Sequence, residues 1–225
     1  MTILVRPPEN FRKKKINNCF TEFGEYIMAL FTKNEVVNPH RILSHDYAIT
    51  RGNELSVSTK RVLDKTVELM EKFPGARCLI FDSDYFWQPK EFINQLKKDY
   101  LATLGADFRR IDFGGGICTT IEEIDKANDL LDLKNLEVVS VCDKMHACRV
   151  RYIWKALTRD FQPKVNFKVV GIKGKWTNEM PSKWQRSSLN WLIANIVGYL
   201  AYVLQGVEKF KKFTHKVQPW GPAEF

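Results

Sequence analysis

Four short stretches of this chain concentrate residue types that could do chemistry. Arg51-Gly52-Asn53-Glu54 offers a glycine at which the backbone can turn tightly or let a ligand approach closely. Asp82-Ser83-Asp84 sets two carboxylates one residue apart, a spacing that can hold Mg²⁺ or Mn²⁺. Gly114-Gly115-Gly116 leads through Cys118-Thr119-Thr120 into two overlapping capping boxes, Thr119 with Glu122 and Thr120 with Glu123. A glycine-rich turn before a helix start can hold an anion. The plainer alternative is a flexible turn with an ordinary cap, because neither a Gly-x-Gly-x-x-Gly run nor a Walker lysine is present. The fourth stretch is Cys142-Asp143-Lys144-Met145-His146, with Arg149 one turn further on. His146 and Arg149, three apart, share a helix face near its N-terminal end, where both could meet a carboxylate or phosphate. A lone histidine is more often structural. His146 is nevertheless the candidate catalytic residue for proton transfer, since an unperturbed imidazole titrates near neutrality.

The elements that must position these residues follow a strand-helix rhythm from Asp46 onward. Short apolar runs predict strands at Tyr47 to Thr50, Arg77 to Phe81, Phe108 to Phe113, Glu137 to Val141 and Phe167 to Ile172. Segments of period 3.6 predict helices at Ser58 to Phe73, Glu91 to Leu104, Ile121 to Leu131 and Ala147 to Arg159, and a long one from Lys183 to Phe213. Pro74-Gly75 and Gly105 supply helix stops. Alternation of this kind predicts an α/β fold, Rossmann-like, with a mostly parallel sheet and helices on both faces. In such sheets a ligand binds beyond the carboxyl ends of the strands, near the point where strand order reverses. All four chemical stretches fall after predicted strands. Residues 1–45 read as an N-terminal extension packing on the core, with a helix from Asn18 to Phe31 carrying Phe20, Phe23, Ile27, Leu30 and Phe31 at helical spacing. Residues 46–225 read as one domain.

Composition narrows the class. A chain of 225 residues with 44% hydrophobic residues can bury a sizeable core, which excludes disorder. Thirty-five Lys and Arg against 26 Asp and Glu give a formal +9, a bias toward phosphates, nucleic acid or an anionic membrane surface. Dense basic runs occur only at Arg12 to Lys15 and in the tail at Lys209, Lys211, Lys212 and Lys216. Five cysteines form no Cys-x-x-Cys pair, which points to a reducing compartment and no zinc site. Met1 to Val5 runs at once into Arg6-Pro7-Pro8, unlike a signal peptide, so the expected location is cytoplasmic. Ser187 to Val207 is uncharged and about as long as a membrane span, but Asn190, Asn195, Tyr199, Tyr202 and Gln205 interrupt it, which favours a core helix.

Leu79-Ile80-Phe81-Asp82-Ser83-Asp84 resembles the strand and Asp-x-Asp of haloacid-dehalogenase-type phosphatases, and the metal-binding Asp-x-Asp of nucleotide-sugar glycosyltransferases. No later acidic pair completes the phosphatase pattern. Asp112-Phe113-Gly114 matches a kinase tripeptide without the accompanying His-Arg-Asp loop. A broader resemblance covers roughly Asp46 to Phe210. Ala48-Ile49-Thr50-Arg51-Gly52 followed by Lys60-Arg61-Val62-Leu63, then Cys118-Thr119-Thr120-Ile121-Glu122-Glu123, then Val141-Cys142-Asp143-Lys144-Met145-His146-Ala147-Cys148-Arg149-Val150, is similar in spacing to the bacterial YdcF, SanA and ElyC family. In that family's third loop a Ser-x-Asn-Thr-x-Glu-Asn pattern is usual, and here Thr120 and Glu122 match while Thr119 replaces the Asn. The fourth loop keeps the family's His and Arg at His146 and Arg149. The second loop departs from it, because Asp82-Ser83-Asp84 stands where Ser-Gly-Gly is usual.

The resemblance implies a Rossmann-like fold with a polar pocket and S-adenosylmethionine as a ligand of some relatives. The expectation is therefore a protein that binds a nucleotide-like small molecule, S-adenosylmethionine being the named cofactor, with an enzymatic activity left open. Gly52, Asn53, Glu54, Asp82, Ser83, Asp84, Gly114, Gly115, Thr119, Thr120, Glu122, His146 and Arg149 are the expected ligand-binding residues. Glu54 or Asp82 would hold a ribose diol and Arg149 a carboxylate. The alternative is a transferase or hydrolase acting on a phosphorylated or sugar-nucleotide substrate through Mg²⁺ or Mn²⁺ on Asp82 and Asp84. Nucleic acid or an acidic membrane surface is a less favoured partner, drawn to the positive surface and to the tail aromatics Trp220 and Phe225.

Overall fold

Segments of five to seven residues built around short apolar runs, too short for helices, become strands that pair side by side in one direction. The structure, a computed structural model, describes residues 38–46, 49–83, 89–117, 119–130, 136–159, 165–180, 182–207 and 209. Five strands, β1 (Arg41–His45), β2 (Arg77–Ser83), β3 (Ile111–Ile117), β4 (Glu137–Asp143) and β5 (Asn166–Ile172), form an all-parallel sheet in the order β3-β2-β1-β4-β5. Among the described residues they are accompanied by the α-helices α1 (Val57–Lys72), α2 (Lys90–Thr103), α3 (Thr120–Leu130), α4 (Ala147–Leu157) and α5 (Ser188–Gln205). The expected α/β architecture with helices on both faces is present. The predicted helix at Asn18 to Phe31 and the tail residues Trp220 and Phe225 lie outside the described residues, as do Tyr47, Ala48, Asp84 and Cys118.

Alternation along the strands divides the core in two. Ile42, Cys78, Ile80, Val139 and Val141 pack against α1 and α2, meeting Val62, Leu63, Met70, Ile93 and Leu101. Their neighbours in sequence, Leu43, Leu79, Phe81, Val138 and Cys142, face the opposite way, onto Ile121 and Ile124 of α3 and Val150, Ile153 and Trp154 of α4. Buried thiols at Cys78 and Cys142 serve here as small apolar side chains.

The first strand is a correction. It lies at Arg41–His45 rather than Tyr47 to Thr50, ahead of the expected start of the domain at residue 46, and it is the central strand of the sheet. Arg-Ile-Leu-Ser-His has only two apolar residues, and its buried Ser44 and His45 depend on neighbours distant in sequence. Ile49 makes only an isolated antiparallel bridge to Leu55, closing a turn in which Thr50 N–H donates to Glu54 O at 2.7 Å and Asn53 takes φ 61°. Gly114, Gly115 and Asp82, expected in loops, are strand residues: Gly114 pairs with Phe81, and the ladder shifts register before Ser83 pairs with Ile117. The long final helix is not continuous over its expected range: the Ser187 side chain caps its start on Asn190 N–H, Gly206, at φ 87°, interrupts it, and Val207 and Lys209 are helical again. Among the described residues no helix is long and apolar enough to cross a membrane.

Candidate functional site

The chain leaves β1 toward β2 and β3 on one side, then returns across it to β4 and β5 on the other, so strand order reverses between β1 and β4. His45 and Asp46 stand at the carboxyl end of β1, Asp143 ends β4, and His146 opens α4. All four are buried. Such groups need partners, and the partners come from α2, α3, α4 and α5.

His45 sits in a relay running through the sheet. Trp154 Nε1–H donates to Ser140 Oγ at 2.8 Å, Ser140 Oγ lies 3.0 Å from His45 Nε2, and His45 Nδ1 lies 2.7 Å from Glu123 Oε2. A carboxylate only accepts, so Nδ1 carries the proton. Ser-His-Glu is the connectivity of a hydrolytic triad, but Ser140 is completely buried in mid-strand, paired with Leu43 on one side and Val169 on the other. Its hydroxyl cannot reach a substrate, and the relay ties α3 and α4 to β1.

His146 is held differently. Asn195 Nδ2–H donates to Trp191 O at 2.8 Å, which turns Asn195 Oδ1 toward His146 Nδ1, 2.7 Å away. Nδ1 must then donate, leaving Nε2 to accept the hydroxyl proton of Thr120, 2.9 Å away. Burial, with the nearby Arg149 charge adding to it, holds the imidazole well below its usual titration range. The ring is therefore a neutral acceptor whose hydrogen bond fixes the Thr120 hydroxyl at the first turn of α3.

Asp143 receives Met145 N–H at 2.9 Å and Trp191 Nε1–H at 3.1 Å, both on Oδ1. Burial raises it to about 6 against these hydrogen bonds, and the Gly174 N–H also favours its charge although Oδ2 closes no hydrogen bond. Oδ2 rests where Gly174 has no side chain, since a Cβ there would stand 2.2 Å from it and 2.8 Å from Ser58 Oγ. The segment after β5 covers this end of the sheet. Ser58 Oγ donates to Lys175 O and accepts from Lys175 N–H, while Trp176 and Met180 pack with Trp191.

On the other side of β1 the strand ends carry a buried ion pair. Lys97 Nζ, on α2, stands 2.8 Å from Asp46 Oδ1 and donates to Phe81 O at 2.6 Å. Among the described residues Asp46 Oδ2 has no hydrogen-bond partner. Burial raises the Asp46 pKa and the Lys97 charge opposes the rise. No account from the sequence reached His45, Asp46, Lys97, Ser140 or Asn195. The available signal was the polar triplet Ser44-His45-Asp46 after an apolar pair, and the spacing of Trp191, Asn195 and Tyr199, which puts all three on one face of α5.

The expected residues divide by partner. Thr119 and Glu122 close the predicted capping box on each other, with Thr119 N–H to Glu122 Oε2 at 3.0 Å and Glu122 N–H to Thr119 Oγ1 at 3.3 Å. The second box does not form, because Glu123 turns to His45. Gly52, Asn53 and Glu54 lie exposed in the turn before α1, next to Arg51, whose N–H bonds Glu179 O. Arg149 faces α5, its guanidinium carbon 6.0 Å from the Tyr202 ring centroid and its Nη1 occupying the space left by Gly198. Among the described residues no three His, Cys, Asp or Glu cluster as a metal site, and Asp84 lies outside those residues. Comparison with protein-family models, curated proteins and solved structures finds no match to this chain.

Proposed function

We propose that this protein binds a nucleotide-like small molecule, with S-adenosylmethionine the first ligand to test, over the carboxyl ends of β1, β2 and β3. The observation that carries the reading is Asp46 Oδ2, a buried carboxylate oxygen without a hydrogen-bond partner among the described residues, at the end of the central strand beside the strand-order reversal. An orphan acceptor suits a ligand that brings donors, and a ribose diol or an amino group does. Asp82, at the carboxyl end of β2, stands where parallel sheets of this kind place a ribose-binding acid. Thr120 contributes a hydroxyl whose proton is committed to His146, so its lone pairs are left to accept from the ligand. His146 acts here as a positioning residue, its Nε2 fixing the direction in which the Thr120 hydroxyl meets the ligand.

The test is calorimetric titration of the full chain with S-adenosylmethionine, S-adenosylhomocysteine and ATP, repeated for Asp46→Asn and Thr120→Val. Saturable binding that weakens by about tenfold or more in Asp46→Asn is expected, the size of a lost charge-assisted hydrogen bond. No heat from any of the three ligands, or equal affinity in both variants, would sink the reading.

A further inference from the structure

Helix α5 has two apolar faces, and among the described residues only one of them is covered, by α4 and the segment after β5. Trp191, Asn195, Tyr199 and Val203, spaced by four, are buried. Leu189, Val197, Leu204 and Ile193 point away and are 65%, 59%, 53% and 42% exposed. At 100° per residue these four fall within an arc of about 80°, a stripe about 22 Å long. The helix cannot roll to hide it. Asn195 is bonded to His146 and Trp191 to Asp143, so rotation would orphan buried polar groups on α4 and β4. Five of the eight large apolar side chains exposed among the described residues fall between Trp184 and Leu204, which makes a patch rather than the ordinary scatter of surface apolar groups.

The charges around the stripe select its partner. No acidic residue occurs between Glu179 and Glu208. Lys183 and Arg186 precede the helix, Lys209, Lys211, Lys212 and Lys216 follow it, and the chain as a whole is at +9. A second copy laid on the stripe in either direction would bring basic ends against basic ends. We infer that the outward face of α5 docks on an anionic lipid bilayer, the helix lying in the plane of the interface with Leu189, Ile193, Val197 and Leu204 among the acyl chains. Trp184 sits at the headgroup level and the flanking lysines pair with lipid phosphates. The stripe holds aliphatic side chains with no hydrogen-bonding group among them, which suits fluid hydrocarbon. The helix lies on the membrane rather than across it. Because α5 also supplies Asn195, docking and the His146 site share one helix.

Flotation of the full chain with vesicles tests this, using phosphatidylcholine alone and phosphatidylcholine mixed with phosphatidylglycerol, at low and high salt. The protein should float with the mixed vesicles, stay behind with phosphatidylcholine alone, and be released by salt. Leu189→Gln with Val197→Gln should weaken flotation by about tenfold or more, at an unchanged unfolding temperature. Absent flotation overturns the inference, and so does flotation indifferent to the double substitution, which would place binding on the basic segments alone. Self-association without lipid that the double substitution abolishes assigns the stripe to a second copy instead.

Discussion

His45 and His146 lie at similar depth, one at the end of β1 and the other at the start of α4, yet their partners differ in chemistry. His45 passes its Nδ1 proton toward the carboxylate of Glu123, while His146 passes its own toward the amide of Asn195. A carboxylate can balance an imidazolium and an amide cannot, so the two rings are equipped for different tasks. The first links three elements through the middle of the sheet. The second is kept neutral and holds the hydroxyl of Thr120 at the first turn of α3. The difference teaches that a buried histidine is defined by the group opposite its Nδ1, and that this group comes from elsewhere in the chain.

The comparison can be broken most forcefully at Ser140. Ser140→Ala removes the hydroxyl shared by His45 Nε2 and Trp154 Nε1, orphaning two buried groups at once. The expected loss is about 4 kcal/mol, read by urea unfolding. A loss below about 1 kcal/mol would mean that the relay does not hold α4 to β1.

Asp143 supports the His146 side through Trp191, and it titrates with the opposite sign. Its folded pKa is raised from an ordinary 3.8 to about 6, so the folded state holds the proton more tightly than the unfolded one. The stability it contributes is present below about pH 4 and is lost as pH rises to about 6, amounting to about 3 kcal/mol. His146 does the reverse. Its folded pKa lies below the usual 6.5, so the unfolded chain takes up the proton first and stability falls as pH drops beneath that value. Subtracting the stability-pH curve of Asp143→Asn from that of the wild type isolates the acid, because Asn keeps the acceptor on Oδ1. A flat difference would show that Asp143 titrates normally.

Asn195 sharpens the comparison most finely. Asn195→Leu leaves the Nδ1 proton of His146 unmet and should cost about 2 kcal/mol. Asn195→Asp instead gives His146 the kind of partner that His45 has, and its titration should move upward. Imidazole NMR checks this, with the wild-type His146 ring titrating below the usual 6.5 and the Asp variant titrating higher than the wild type. An Asp variant that titrates no higher than the wild type would show that the group opposite Nδ1 does not set the charge of this ring.

Much of the fold was legible because strands β2 to β5 and helices α1 to α4 obey local rules of apolar runs and helical period. The central strand was not, since Ser44 and His45 look like loop residues until Ser140 and Glu123 satisfy His45. Gly114 and Gly115 misled for a related reason. They read as a phosphate-binding turn, yet the ladder to β2 extends the strand through them. His146 could be picked out as the polar residue following a buried strand. Its neutrality could not, because the main cause is burial, which only the packing of distant segments against α4 produces.

The sequence by itself determined the class of this molecule: parallel strands alternating with helices, a positive chain, and polar residues gathered after the strands. Those features depend on residue type and spacing over short windows, where the chain's own covalent order supplies the geometry. Only the tertiary structure decided which buried groups face one another, that Asp46 is paired with Lys97, that Arg149 turns to α5, and that His146 meets an amide. These pairings join residues dozens of positions apart, and the charge state of a buried group follows from its burial and partners rather than from its name.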